Sequence, residues 1–227
     1  MLAGLWFCYM ALGLSMASLA PLVSEIEADL RFSHRAMGTV MGAWQFVYIF
    51  AAIPCGMLLD RIGARWGLAI GALIMGLSGI FRGFAGEYLE LLAAVALFGL
   101  GGPLISAGAP KVVRENFEGA HRGLAMGIYI TGPGIGAVAA LGLTHSVALP
   151  LLDGNWRALL QIWGWVCIAS GVFWLLVARD DAPTPVANEG KIGLSDLAEV
   201  VRIPAVGLIL LMSVAVFAIN HGMGNWL

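Results

Sequence analysis

Gly56-Met57-Leu58-Leu59-Asp60-Arg61-Ile62-Gly63-Ala64-Arg65-Trp66 sets one acid and two arginines in a tight run with apolar sequence on either side. Gly63 frees the backbone for a reversal. Asp60, at the end of the preceding run, can accept hydrogen bonds from arginine or from the N-terminus of a neighbouring helix. A charged turn of this kind between apolar rods is a latch: it can hold two helical bundles together on one side of a membrane and let them part.

The flanking runs, Ala36 to Leu59 and Trp66 to Phe84, match what a bilayer requires. About 20 apolar residues at roughly 1.5 Å rise each cross its hydrocarbon layer. Five further runs have the same character: Leu2 to Val23, Leu89 to Pro110, Gly123 to Leu143, Trp156 to Ala178 and Ile203 to Leu227. Hydrocarbon offers no partner to a backbone amide, so each run must satisfy its own hydrogen bonds, and each is expected to be a helix. The fold class is therefore an all-α integral membrane protein, with a six-helix bundle over 1–178, a linker over 179–202 and a seventh helix over 203–227. Ser195 as an N-cap, with Leu197, Val200 and Val201 at helical spacing, predicts a short amphipathic helix within that linker.

Composition points the same way. Of 227 residues, 60% are hydrophobic and 11% charged, with a mean hydropathy of +0.89. Soluble domains carry about 25% charged residues, so this chain lacks the ionic side chains to cover a water-facing surface. A net charge of −2 gives no basic stripe for a nucleic acid. Cys8, Cys55 and Cys167 are far apart in apolar surroundings and read as small buried hydrophobes, with no disulfide framework and no metal site.

Lysine and arginine set the expected orientation. The connections after the second, fourth and sixth runs hold Arg61, Arg65, Lys111, Arg114, Arg122, Arg179, Lys191 and Arg202; those after the first, third and fifth hold Arg31, Arg35, Arg82 and Arg157. Positive charge marks the cytoplasmic side, which places the N-terminus and the Asp60 turn inside. No basic residue precedes the first run, which is too long for a signal core and reads as a span. Because the chain stops at Asn225-Trp226-Leu227 inside the seventh run, a second half of similar size and a short N-terminal piece are expected beyond it.

The Gly56–Arg65 stretch resembles the G-x-x-x-D-R-x-G-x-R signature of the major facilitator superfamily of secondary transporters, in type, spacing and position after the second span. Ala64 stands where many members have a first basic residue, so the latch is one charge lighter. Gly132-Pro133-Gly134-Ile135-Gly136 on the fifth span is similar to the family's G-P-x-x-G core, where Pro133 permits a bend and Gly132 and Gly136 permit close packing. Lys111 to Phe117 and Arg122 to Gly127 resemble the family's loop between spans four and five, the counterpart of the Asp60 loop in a repeated three-helix unit. Arg82 together with Asn220-His221-Gly222-Met223-Gly224-Asn225-Trp226-Leu227 is similar to the branch holding cyanate permease and nitroimidazole transporters.

The resemblance implies the major facilitator fold, seen as the N-terminal six-helix bundle plus helix 7 of twelve. It implies alternating-access transport of a small solute, with small organic or inorganic anions among the expected substrates, and a plasma or inner membrane location. The implied partners are the bilayer and the solute, with protons as one option for the coupling ion; no cofactor and no nucleic acid is implied. Polar side chains in the spans are candidates to line the path: Tyr9, Gln45, Tyr129, Asn220, His221 and Asn225, with weaker claims for Ser15, Tyr48, Ser106 and Thr131. Arg82 either snorkels to the outer headgroups, the favoured reading, or faces the path and attracts an anion. His145 is expected in the interfacial region. A polytopic membrane enzyme would need a GxSxG or HExxH constellation, which the sequence lacks; a seven-helix sensor would need a charged ligand site and a folded extension.

Overall fold

A computed structural model of the chain describes residues 1–178, 203, 205–209, 211–212 and 214–216. It divides into two units, Met1–Pro183 and Thr184–Leu227. The second shows apolar helical residues within 205–216. The linker expected over 179–202, its amphipathic helix, and Asn220, His221 and Asn225 lie outside the described residues.

The described residues of the first unit form helices joined by short turns. Helix α1 spans Leu2–Ala17 and ends in a 3-10 turn, Ala20–Leu22, into which Pro21 fits without loss because its missing amide would be unpaired there. Helix α2, Val23–Leu30, carries Glu25 in its first turn and stops at Arg31, whose φ of 53° is left-handed. Ser33 then caps α3 by accepting a hydrogen bond from the Ala36 amide at 3.3 Å. Helices α4 (Tyr88–Asn116), α5 (Gly119–Leu143), α6 (Leu149–Leu151) and α7 (Trp156–Val177) follow. A π turn, Thr144–Ala148, joins α5 to α6. Asn155 caps α7 through the Ala158 amide at 3.1 Å.

Helix α3, His34–Phe84, is 51 residues long. At 1.5 Å per residue a straight rod of that length would measure about 76 Å, more than twice a bilayer core. It is two spans: Gly63, with φ 79° and ψ 163°, breaks the helix in the middle of the charged turn. Both arms lie along α4. Trp44 on the first arm stacks edge-on with Phe98 at 5.4 Å, and Ser78 on the second donates to the Ala94 carbonyl at 2.7 Å. Contact with neighbouring turns of α4 from residues so far apart in sequence requires the chain to have reversed between them. Thus six of the seven expected spans appear in this unit, the second and third as one element, and the described residues contain five continuous helices long and apolar enough to cross a membrane.

Close seams hold the unit together. A Cβ on Gly132 would sit 2.9 Å from the Trp6 carbonyl oxygen, so α5 rests directly on α1. Gly76 and Gly79 meet Gly164 in the same way, drawing the second arm of α3 onto α7. The thiols of Cys8 and Cys167 are buried and donate across the α1–α7 seam to the Ser170 and Ala11 carbonyls, each at 3.5 Å, as small hydrophobes with a weak donor would. Cys55 departs from expectation in being only partly buried.

Candidate functional site

The charged turn closes on a residue far away in sequence. Asp60 Oδ1 accepts from Lys111 Nζ at 2.8 Å, tying the end of the first α3 arm to the last turns of α4. The partner is a lysine rather than the arginine or helix N-terminus anticipated. Arg65 points elsewhere: its Nη2 donates to the Leu175 carbonyl at 3.1 Å, and its own carbonyl accepts from Trp174 Nε1 at 2.9 Å, strapping the α7 C-terminus where free carbonyls favour a cation. Arg61 is exposed. Arg122 donates to the Phe117 and Arg114 carbonyls at 3.0 and 3.1 Å and so closes the α4–α5 connection. Gly56, Asp60, Lys111, Arg114 and Arg122 border an open cavity of about 500 Å³.

A second polar group sits between the helices, well away from that turn. Tyr9 of α1 donates to the Ser106 carbonyl of α4 at 3.1 Å, and the Tyr48 hydroxyl of α3 meets Ser106 Oγ at 2.6 Å. Tyr9 stacks edge-on with Tyr129 of α5, ring centres 4.8 Å apart. Trp6 Nε1 donates to Thr131 Oγ1 at 3.0 Å. One turn before Tyr48, the Gln45 Oε1 is buried and has no hydrogen-bond partner among the described residues. Helices α1, α3, α4 and α5 thus bring together Tyr9, Tyr48, Ser106 and Tyr129, with Gln45 one turn away along α3; all five are path candidates from the sequence. Trp6 went unnoticed because an indole in a span reads first as packing. Among the described residues, no three His, Cys, Asp or Glu side chains converge in a way that could hold a metal ion.

Gly132, Pro133 and Gly136 form the α1–α5 seam, with Pro133 facing Gly13, and α5 runs through Pro133 as one helix. Arg82 corrects the expectation that it snorkels. It is 2% exposed, and its Nη1 donates to the Ser15 carbonyl at 3.0 Å and to Ser18 Oγ at 3.1 Å, while the guanidinium lies 5.6 Å over the Phe98 ring. The reason lies on another helix: α1 ends at Ala17, its last carbonyls lack intrahelical partners, and a cation there meets the negative end of the helix dipole. Trp44 and Trp156, although near the ends of their spans, are likewise buried.

Membrane-length helices, a charged turn pinning two of them at one end and a polar cluster between four of them define a polytopic membrane protein. The Major Facilitator Superfamily model matches residues 5–227, and the chain belongs to that family. It is 28% identical over 187 residues to the probable galactarate/D-glucarate transporter GudP of Escherichia coli strain K12, covering 78% of this chain and 40% of that protein. It is 27% identical over 164 residues to the D-galactonate transporter of Escherichia coli O6:H1, covering 71% and 36%. In fold it is similar to a bacterial homologue of the human lysosomal transporter Spinster in an inward-facing, unoccupied conformation, with a TM-score of 0.72 and 19% identity over 88% of this chain and 47% of that one. The chain spans from about a third to about half the length of the curated relatives it matches.

Proposed function

We propose that the chain forms one moving half of a secondary transporter that carries a small hydroxylated anion across the inner membrane by alternating access. The observation that carries this reading is the cluster of Tyr9, Tyr48, Ser106 and Tyr129 with the unpartnered acceptor of Gln45. A buried carbonyl oxygen without a donor costs about 1–3 kcal/mol, and a solute hydroxyl supplies that donor when it binds. Hydroxyls and an amide read hydroxyl-bearing solutes; galactonate and glucarate, named for the relatives, have that chemistry. The carboxylate would be met by groups outside the described residues, with Asn220, His221 and Asn225 as candidates.

The Asp60–Lys111 pair and Arg65 lie at the end taken as cytoplasmic from the lysine and arginine distribution. There they hold spans of this half in fixed register while the half rocks. Protons are the proposed coupling ion, with His221 the candidate carrier from this sequence.

The test is uptake into proteoliposomes containing the full-length protein, with D-galactonate, D-glucarate, nitrate and an uncharged hexose offered in turn, with and without an inward proton gradient. Accumulation of a sugar acid that depends on the gradient, with Tyr48→Phe and Gln45→Leu each reducing its apparent affinity about tenfold, supports the reading. Uptake of none of the four, or uptake unaltered by both substitutions, overturns it.

A further inference from the structure

At the end of the bundle away from Asp60 lies helix α2, Val23–Leu30, eight residues with three acids. Each acid is met by a different element. Glu27 Oε1 pairs with His34 Nδ1 at the start of α3, at 2.8 Å. Asp29 Oδ2 pairs with Arg157 and accepts from Trp156 Nε1 at 3.0 Å, both at the start of α7. Glu25 Oε1 faces His145 Nδ1 of the π turn after α5, at 3.8 Å, too long for a hydrogen bond. Ionic groups thus meet α2 from α3, from α7 and from the π turn.

His145 differs from His34 in one decisive respect. Its Nε2 lies 2.6 Å from the Pro21 carbonyl, which can only accept, so the ring must carry its proton on Nε2. In the neutral ring, Nδ1 is then a bare lone pair turned toward a carboxylate. Glu25 is correspondingly unsatisfied: its Oε2 is buried with no partner among the described residues. A second proton on the ring can go only to Nδ1, and it converts a lone pair facing an anion into an N–H facing an anion. His34 undergoes no such inversion, because its Nδ1 already serves Glu27 as donor in either charge state. The ring also sits in a π turn, a local widening of the helix that is often found at functional positions.

The geometry points to a proton-operated clasp: on protonation His145 binds Glu25 and fastens the α5 end to α2 and thereby to α3 and α7. With the ring neutral only its Pro21 bond remains and that corner loosens. If Asp60 marks the cytoplasmic side, the clasp faces the medium outside. It makes no use of the polar cluster and does not depend on which solute is carried.

The test is hydrogen–deuterium exchange of the peptide covering 20–30 in the intact protein in nanodiscs, at pH 5.5 and pH 8.0, normalised to the intrinsic exchange rate at each pH. The clasp predicts about threefold greater protection at pH 5.5, the size of one partly exposed charge pair. His145→Gln keeps a donor for Pro21 but cannot take up the proton; it should abolish that gain while leaving protection at pH 8.0 as in the wild type, and His34→Gln should leave the gain in place. A wild type equally protected at both pH values, or a gain that survives His145→Gln, overturns the proposal. Nitrogen-15 spectra of histidine-labelled wild type check it without relying on a variant: His145 must show the Nε2–H tautomer at pH 8.0, and the opposite tautomer refutes the clasp.

Discussion

Removing the Arg82 guanidinium tests most directly how this bundle is held together. The side chain is 2% exposed and bridges the end of the second α3 arm to the C-terminus of α1 through Ser15 and Ser18. Two hydrogen bonds from a charged donor contribute about 1.5–3 kcal/mol each. Ser18 Oγ still donates to the Ser15 carbonyl at 2.9 Å, so the carbonyl is not orphaned, and the lower end of that range applies. Truncation to alanine adds a cavity where the stem and the face of Phe98 now pack, worth about 2 kcal/mol or more. Against this stands relief from burying a charge that has no carboxylate partner among the described residues, several kcal/mol in principle. The helix-end dipole and the Phe98 face already offset much of that penalty. The balance for Arg82→Ala is a loss of about 3 kcal/mol. Arg82→Met, which fills the space without bonding, should lose about half as much. Arg82→Lys should fall between them, because one ammonium cannot span the two oxygens as a planar fork does. Equilibrium unfolding in mixed micelles, followed by helical circular dichroism, reads these differences. A residue snorkelling to headgroups would cost under about 0.5 kcal/mol on truncation, so a value that small for Arg82→Ala would refute the buried-cap account.

Asp60→Asn should lower unfolding stability by under about 1 kcal/mol, since the carboxylate is 64% exposed in its pair with Lys111, yet cut uptake by the full-length protein severely; wild-type uptake would remove the latch from the mechanism. Gly136→Val should cost about 1–3 kcal/mol or block assembly, because a side chain there runs into the α1 backbone at Met10 and Leu14, whereas Gly134→Ala, facing open space, should be nearly neutral in the same assay. The Arg157 guanidinium, helped by the Trp156 indole, holds the Asp29 carboxyl below the usual carboxylate range. A lowered value means that the stabilisation is fully present above the unfolded carboxylate value of about 3.9 and is lost as pH falls through the folded value, so Asp29→Asn should lower stability at pH 7, where the pair is fully formed, and flatten the acid limb of the stability profile below about pH 4.

Much of the fold could be read along the chain because membrane crossing is a one-dimensional constraint. A run of about 20 apolar residues is either present or not, and Gly63 among Asp60, Arg61 and Arg65 marks a reversal by chemistry that is local. Helix α2 escaped for the opposite reason. Glu25, Glu27 and Asp29 made 24–35 look like a connection, although Leu22, Ile26 and Leu30 at four-residue spacing, the first two buried and the third half-buried, were its signature. The path candidates were legible as polar residues that hydrocarbon would exclude, and Tyr9, Tyr48, Ser106 and Tyr129 do converge. The same rule failed for Arg82. Its position near the end of an apolar run suggested headgroups, while the oxygens that hold it belong to a helix more than sixty residues earlier. Lys111 finds Asp60 across a similar gap. Pairings of that range follow from how helices stack, and no local pattern records them.

The distribution of these ties bears on how the unit can move. Arg82, the glycine seams, the two buried thiols and the Arg65 strap all join α1, α3, α4, α5 and α7 inside the unit. Breaking a hydrogen-bonded one strands a buried donor or acceptor, a cost of about 1–3 kcal/mol each, and parting a glycine seam forfeits close packing. The first arm of α3, in contrast, presents Phe46, Ile49, Phe50, Ile53 and Met57, a single stripe at helical spacing, to its surroundings without a directional bond. Sliding an apolar stripe past lipid or another apolar face forfeits no hydrogen bond. Displacement is therefore cheap at that surface and expensive within the unit, which favours movement of 1–178 as one body. The adjustable contacts are the ionic ones at its two ends, where water can replace a lost partner: Asp60 with Lys111 at one, and the acids of α2 with His34, His145 and Arg157 at the other.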